Sequence, residues 1–358
     1  MLKKVLRKIY YQLPARFSAA GYAFPCRNVI FEVVYSCNLN CEMCPYRAEL
    51  EHTEPRGSDF KPLKKDEIID LLHELPKGSN ITFTGGEPFL KEGILDILQT
   101  AAGLHKVSVA TNGTLLTDEI AEKLVSWGIG LLGFSLDGPK EIHNEIRKDP
   151  GSYDKLVEAV RSINKQKIKR GVRHPRLNFN GVILKKNFKF LHKNVELAKE
   201  LNISFHTFQI CDPSWNRSAW RLSDEINADE RTIEQVEPID RGELKVALEQ
   251  LVDTAKRLNV GLNFVPALTV EEIVDYYDNK FNLSKWHCLD PWSTMRISPY
   301  GDVFPCLNFK VGNVRQQKPS ALWNSPGYRK FRKALGSAVL FESCVGCCKM
   351  IRKRRAEA

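Results

Sequence analysis

Ten cysteines lie in the 358-residue chain, and most of them are grouped. Cys37, Cys41 and Cys44 form a C-x3-C-x2-C run, and Cys344, Cys347 and Cys348 crowd the far end. Clustered thiols in a reducing compartment bind metal or do redox chemistry more often than they pair as disulfides. Three thiolates on one short loop suit an iron–sulfur cluster, because cluster iron prefers thiolate ligation. A four-iron cluster needs four ligands, so three cysteines leave one iron open to chemistry. A closed zinc site would want a fourth protein ligand close by. None is adjacent, and His52, eight residues past Cys44 in a charged segment, is the weaker candidate.

These thiols need a scaffold, and the apolar pattern supplies one. Strand-like runs at Val29–Tyr35, Asn80–Thr84, Val107–Thr111, Leu131–Leu136, Leu177–Leu184 and Ile203–Ile210 alternate with amphipathic stretches near 64–74, 91–103, 117–127, 152–166 and 190–201. Strand and helix in alternation imply an α/β fold with a parallel sheet and right-handed crossovers. Six strands are too few for an eightfold barrel, so the expectation is a partial (β/α)6 TIM-like barrel with its working loops after the strands' carboxyl ends. Cys37 then follows the first strand. Past Cys211 a polar stretch leads to a helix near 243–258 and a less regular region to Lys285. From Trp286 cysteines, Pro, Gly and short strand-like pieces (Met295–Ser298, Asp302–Phe304) mark a small C-terminal module that suits a metal staple. The expected divisions are 1–27, 28–222, 223–285 and 286–358.

Composition narrows the class. Hydrophobic residues are 43% and charged residues 27%, which is ordinary globular usage and excludes wholesale disorder, collagen and coiled coil. There is no run of about 18–20 apolar residues and no apolar signal core, so a cytoplasmic protein is expected. The formal charge is +10, which favours acidic partners without choosing among them. Lys3, Lys4, Arg7, Lys8 and Arg16 stand at the front, and Lys349, Arg352, Lys353, Arg354 and Arg355 at the end. Residues 2–17 form a basic amphipathic segment that suits a membrane surface or a cap on the barrel equally well.

The motifs, in their order along the chain, resemble the radical S-adenosylmethionine superfamily. The C-x3-C-x2-C run follows the first strand, and Thr84-Gly85-Gly86-Glu87-Pro88 after the second is similar to the family's GGE motif. Ser135-Leu136-Asp137-Gly138, His143, Arg147 and Gly151-Ser152-Tyr153 resemble the run of its maturase-like branch. The resemblance covers residues 29–210. It implies a [4Fe–4S] cluster on Cys37, Cys41 and Cys44, whose open iron is chelated by the methionine end of S-adenosylmethionine. One electron then releases a 5′-deoxyadenosyl radical that takes a hydrogen atom from substrate. It further implies contacts to that cofactor from Gly85, Gly86 and Glu87, from Ser135 and Arg147, and from Asn112 and the backbone at Ile183 and Leu184. Where the family usually has an aromatic residue before the third cysteine this chain has Met43, whose sulfur can cover an adenine face; Tyr46 is the substitute.

The tail carries a second resemblance. Cys288, then twelve residues, Gly301, four more residues and Cys306, with Cys344-Val-Gly-Cys347 later, is similar to the family's auxiliary-cluster domain, called SPASM. Because the sequence stops ten residues after Cys348, it resembles the shortened version, twitch, with one auxiliary [4Fe–4S] cluster. Cys288, Cys306, Cys344 and Cys347 would ligate it fully, which suits electron transfer; a zinc on the same thiolates is the alternative. Cys347 keeps the C-x2-C spacing and is preferred to Cys348.

The expected function is hydrogen abstraction leading to a two-electron oxidation, a dehydrogenation or a crosslink, with a flavodoxin or ferredoxin as reductant. Peptide, sugar, cyclitol, lipid-linked and other small substrates all fit. Peptide-modifying relatives often carry a leader-binding domain, and only 28 residues precede the first strand here, which favours the non-peptide ones. Cys211, just past the sixth strand, could donate a hydrogen atom and make the enzyme an epimerase, although buried free thiols are common. RNA modification is a rival on charge alone, with no identifiable RNA-binding module. A non-catalytic redox protein is another, and Gly85-Gly86-Glu87 speaks against it. Gly128-Ile-Gly130-Leu-Leu-Gly133 matches G-x-G-x-x-G but closes a helix and opens a strand, the reverse of a dinucleotide site.

Overall fold

A computed structural model of the chain describes residues 10, 12–15, 17–44, 61–212, 236–306, 309–338, 340–341 and 344–353. Tyr46, most of residues 2–17 and much of the polar stretch after Cys211 lie outside them.

Seven parallel strands form the barrel wall: β1 (Asn28–Val34), β2 (Asn80–Gly85), β3 (Lys106–Thr111), β4 (Leu131–Ser135), β5 (Arg176–Ile183), β6 (Phe205–Ile210) and β7 (Gly261–Val265). Between them run α1 (Lys65–Glu74), α2 (Ile94–Leu104), α3 (Asp118–Ser126), α4 (Lys140–Arg147), α5 (Ser152–Arg170), α6 (Leu191–Glu200) and α7 (Arg241–Leu258). The period of two decides which face each side chain takes. Phe31, Phe83, Val109, Phe134 and Phe179 are buried, on the face turned toward the helices. Their neighbours Glu32, Thr84, Ala110, Ser135 and Asn180 take the inner face. Local signals set the helix ends: Thr117 Oγ1 accepts from the Ile120 N–H at the start of α3, and Gly171 at φ +64° stops α5.

The seventh strand was not visible in the alternation. β7 is short and half-exposed and carries Asn263 at its centre, so it has no apolar signature, yet it pairs in parallel with β6. After it comes α8 (Val270–Tyr277), capped by Thr269 and Glu272. The stretch read as irregular therefore adds one more strand–helix step. α4, only eight residues long and opened by Pro139, also escaped the pattern.

The tail continues the same sheet. β9 (Thr294–Ile297) pairs in parallel with β1, and β10 (Asp302–Phe304) and β11 (Gly312–Asn313) follow antiparallel, giving the order β11-β10-β9-β1-β2-β3-β4-β5-β6-β7. The sheet keeps two open edges, as a partial barrel does. β8 (Trp286–Cys288) pairs with β12 (Met350–Arg352) in a separate two-stranded ribbon. Next to the sheet lie α9 (Pro319–Trp323) and α10 (Pro326–Ala338). Fully buried Arg332 donates from α10 to the carbonyls of Gly21 and Pro291, which fastens the segment ahead of β1 to the tail.

Candidate active site

Every parallel strand ends on the same side, and there the chain leaves a cavity of about 270 Å³. Cys37, Cys41 and Cys44 line it from the loop after β1, with Met43 beside them. Gly85 and Gly86 follow from β2, Asn112 from the end of β3, Ser135 from β4 and Arg147 from α4. Positions scattered over 110 residues of sequence are thus brought to one cavity by the strand ends.

The two glycines are needed by close backbone approach. Gly86 N–H donates to the Val34 carbonyl at 2.7 Å and Glu87 N–H to the Ser36 carbonyl at 3.0 Å, so the exits of β1 and β2 run against each other. A Cβ on Gly86 would stand 2.1 Å from the Ser36 oxygen, and one on Gly85, at φ +133°, 2.2 Å from the Val34 oxygen.

Glu87, which the resemblance puts at the cofactor, is not among the residues that line the cavity. Its carboxylate is fully buried and accepts from Phe89 N–H (3.2 Å), Thr111 Oγ1 (2.8 Å) and Asn112 N–H (2.8 Å). Burial raises its pKa against the pull of those three donors. Glu87 therefore ties the β2 exit to the β3 exit from behind the cavity wall. Asn112, held in this way, points Nδ2 at Asn38 Oδ1 (3.0 Å) and at Cys37 Sγ (3.9 Å).

The Asp137–His143–Arg147 run is a second such device. Arg147 pairs with buried Asp137 at 2.6–2.7 Å and sends Nη1 to Cys41 Sγ at 3.4 Å. Although burial opposes its charge, Asp137 and Cys41 hold the guanidinium above its ordinary value. Asp137 also accepts from Val182 N–H at 3.1 Å. Burial, then the Arg147 charge, lowers His143 to about 4, so its neutral ring accepts the Asp137 N–H through Nδ1 at 3.3 Å. Glu42 N–H donates to the Ile146 carbonyl at 3.1 Å, which pins the cysteine loop to α4.

The donor set fits an iron–sulfur cluster. Three thiols face one cavity, with N–H groups of Arg147 and Asn112 directed at two of the sulfurs, the kind of support a cluster's thiolates receive. Burial pushes the Cys37 thiol up to about 11, a cost that deprotonation by bound metal reverses.

Three sequence candidates stand elsewhere. Ile183 and Leu184 do not line the cavity: the Ile183 carbonyl accepts from Tyr277 Oη, and the Leu184 carbonyl from Asn187 and Phe188 N–H groups. Cys211 is not in the cavity wall either; its carbonyl accepts from Tyr276 Oη and its N–H donates to Tyr277 Oη at 3.0 Å. Burial raises its thiol to about 11. Conversely, sequence reading gave no cofactor role to Thr84, Asn180, Thr207 and Gln209, which also line the cavity. Their signal is polarity on alternate positions near strand ends, Thr207 and Gln209 being separated by buried Phe208.

The second group of thiols forms at the tail. Cys288 ends β8, Cys306 follows β10, and Cys344 and Cys347 sit on the turn before β12. The pairing of Met350 with Cys288 folds that turn over Cys288. Burial lifts the Cys288 thiol, the Asp290 charge adds to the lift, and Cys306 and Cys344 follow. Cys347 is raised by its hydrogen bond to Cys348, by burial, and by Cys288 and Cys306. Cys348 is lowered by that hydrogen bond and by Lys349 and Arg296. Cys288 and Cys306 thus act on Cys347, and Lys349 and Arg296 on Cys348. The turn also touches the barrel mouth, since a Cβ on Gly346 would lie 2.6 Å from Tyr276 Oη, the same hydroxyl that holds the Cys211 carbonyl.

Comparison with known proteins agrees with this geometry. Residues 31–186 match the family model of the radical SAM superfamily, and residues 288–348 that of the SPASM iron–sulfur cluster-binding domain. An AdoMet-dependent heme synthase of Methanosarcina barkeri is 28% identical over 90% of each chain. A tungsten-containing aldehyde ferredoxin oxidoreductase cofactor-modifying protein of Pyrococcus furiosus is 26% identical over 88% of this chain and 85% of its own. Among solved structures, Streptococcus suis SuiB bound to S-adenosylmethionine has a TM-score of 0.61 at 17% identity, over 87% of this chain and 68% of its own. Native anSMEcpe with bound AdoMet gives 0.57 at 20%, over 86% and 82%. At these identities the structural likeness speaks to fold alone.

Proposed function

Because the chain belongs to the radical SAM superfamily and carries a SPASM iron–sulfur domain, we propose that it oxidises its substrate by two electrons, one leaving with a hydrogen atom and the second passing to the auxiliary cluster. It is an enzyme with [4Fe–4S] clusters and S-adenosylmethionine as cofactors, and it needs a reductant, for which a flavodoxin or ferredoxin is suited. When bound, the first cluster and S-adenosylmethionine supply a 5′-deoxyadenosyl radical. In this reading Cys37, Cys41 and Cys44 hold that cluster, and Gly85, Gly86, Asn112, Ser135 and Arg147 shape the cofactor's seat, with Met43 against the adenine. Glu87 positions them from outside the lining, and Asp137 from within it through Arg147. Cys288, Cys306, Cys344 and Cys347 hold the auxiliary cluster.

The observation that carries the oxidation is the contact of the Cys344–Cys347 turn with the barrel mouth through Gly346 and Tyr276. In this reading the four thiols would hold a fully ligated cluster at the end of the barrel where the strands finish, where an electron acceptor is useful and a substrate ligand is not. The epimerase reading requires the Cys211 thiol at the cavity, and Cys211 is not among the residues that line it. The names of the relatives, one making heme and one modifying a metalloenzyme cofactor, add cofactor-sized substrates to the small-molecule, sugar, lipid-linked and peptide classes.

The test is anaerobic reconstitution followed by reductant and S-adenosylmethionine. Formation of 5′-deoxyadenosine is expected; its absence would overturn the catalytic reading. About eight irons per chain are expected, and about four would overturn the auxiliary acceptor. The Cys347→Ser variant is expected to lose about four irons, and Cys348→Ser to keep all of them. The reverse pattern would reassign the fourth ligand.

A further inference from the structure

The opposite end of the barrel, where the strands begin, holds a groove of about 1010 Å³ between the end of α5 and the starts of β5 and β6. This end of a barrel is ordinarily concerned with stability, and packing does not explain its composition here. Lys167 and Arg173 line the groove with Arg176, and Lys169 stands on the same helix end. None of these four makes an ion pair with a described residue, whereas Arg161, Lys165 and Arg170 nearby are neutralised by Glu200, Asp118 and Glu122. Arg176 lies over the Phe205 ring, and beside Lys167 and Lys169 Ile168 projects with 82% of its surface exposed. The same end receives the chain entering β1, where Phe17 is 78% exposed and Phe24 42%.

We propose that this basal face rests on an anionic lipid surface, with the Lys167, Lys169 and Arg173 side chains at the headgroups and Ile168 inserted below them. Isolated apolar side chains set among uncompensated cations gain at such a surface in both ways at once, through acyl burial and through attraction to acidic lipid. A reductant docked here would be a poor donor, because β5 spans eight residues and so holds the groove roughly 25 Å from the cysteines at about 3.3 Å per residue. Single-stranded RNA would want rings to stack on, and His174 carries the only ring among the groove's described lining. With the base on a bilayer, the cavity mouth faces away from it.

The test uses the full chain with its clusters in place, sedimented with phosphatidylcholine vesicles with and without phosphatidylserine. Binding is expected only with phosphatidylserine and is expected to weaken as salt rises. Lys167→Glu/Lys169→Glu/Arg173→Glu is expected to lower partitioning about tenfold or more, and Ile168→Ser about fivefold. Both variants are expected to cleave S-adenosylmethionine in solution as the wild type does, which separates lost docking from lost folding. Three results would each overturn the proposal: no sedimentation of the wild type with acidic vesicles; equal sedimentation of the triple variant; or binding of single-stranded RNA that is lost in the triple variant and kept in Ile168→Ser.

Discussion

Replacing Cys37, Cys41 and Cys44 together with alanine is expected to take the reconstituted protein from about eight irons per chain to about four and to abolish S-adenosylmethionine cleavage. The iron that stays is as informative as the iron that leaves. The tail thiols are positioned by the β8–β12 ribbon and by β10, none of which is built from the 37–44 loop, so the second cluster should assemble without the first. The fold should survive too, because contacts of the loop that do not use a thiol stay in place: Glu42 N–H on the Ile146 carbonyl, Lys186 on Glu42, and Asn38 with Asn112 and Thr114. Iron and sulfide analysis beside a 5′-deoxyadenosine assay checks both halves. Loss of all iron would mean that the two groups of thiols are not independent; retention of cleavage would remove the three cysteines from the chemistry.

What could be read before the structure depended on how far apart in sequence the cooperating residues stand. Cys37, Cys41 and Cys44 are local and declare themselves, and each long strand with a buried apolar face shows its own alternation. The β9–β1 pairing joins residues more than 260 positions apart and leaves no local trace, so the sequence showed a C-terminal module but not that its strands β9 to β11 continue the barrel sheet. β7 failed for a different reason: half-exposed on one edge, it needs no apolar face. Residue roles divided in the same way. Motif residues came to the cavity, but the division of labour among them is tertiary. That Glu87 faces Thr111 and Asn112, and that the Ile183 carbonyl is taken by Tyr277, follow from packing between elements that no spacing encodes. Cys347 over Cys348 is a preference from spacing, and the iron content of the two serine variants decides it.

Gly86→Ala is expected to damage the site as severely as losing a ligand, without touching a sulfur. The added methyl would meet the Ser36 oxygen at 2.1 Å and the Tyr35 oxygen at 2.6 Å, both backbone atoms that cannot swing aside as a side chain would. Relief requires the β1 and β2 exits to part, which breaks the Gly86–Val34 and Glu87–Ser36 hydrogen bonds. Ser36 precedes Cys37, and Glu87 holds Asn112, so the parting displaces a cluster ligand and the neighbour that donates to it. Overpacking of this kind costs on the order of 3 kcal/mol, and misplacement by about 1 Å can cost about a hundredfold in rate. The control is Gly103→Ala, in an exposed turn of α2 where a Cβ meets nothing within 4 Å; there alanine is expected to stabilise by up to about 1 kcal/mol. Thermal melts and S-adenosylmethionine cleavage on the two variants separate the effects. A Gly86→Ala protein that melts and turns over like the wild type would show that the two strand exits are not held as closely as their backbone contacts require.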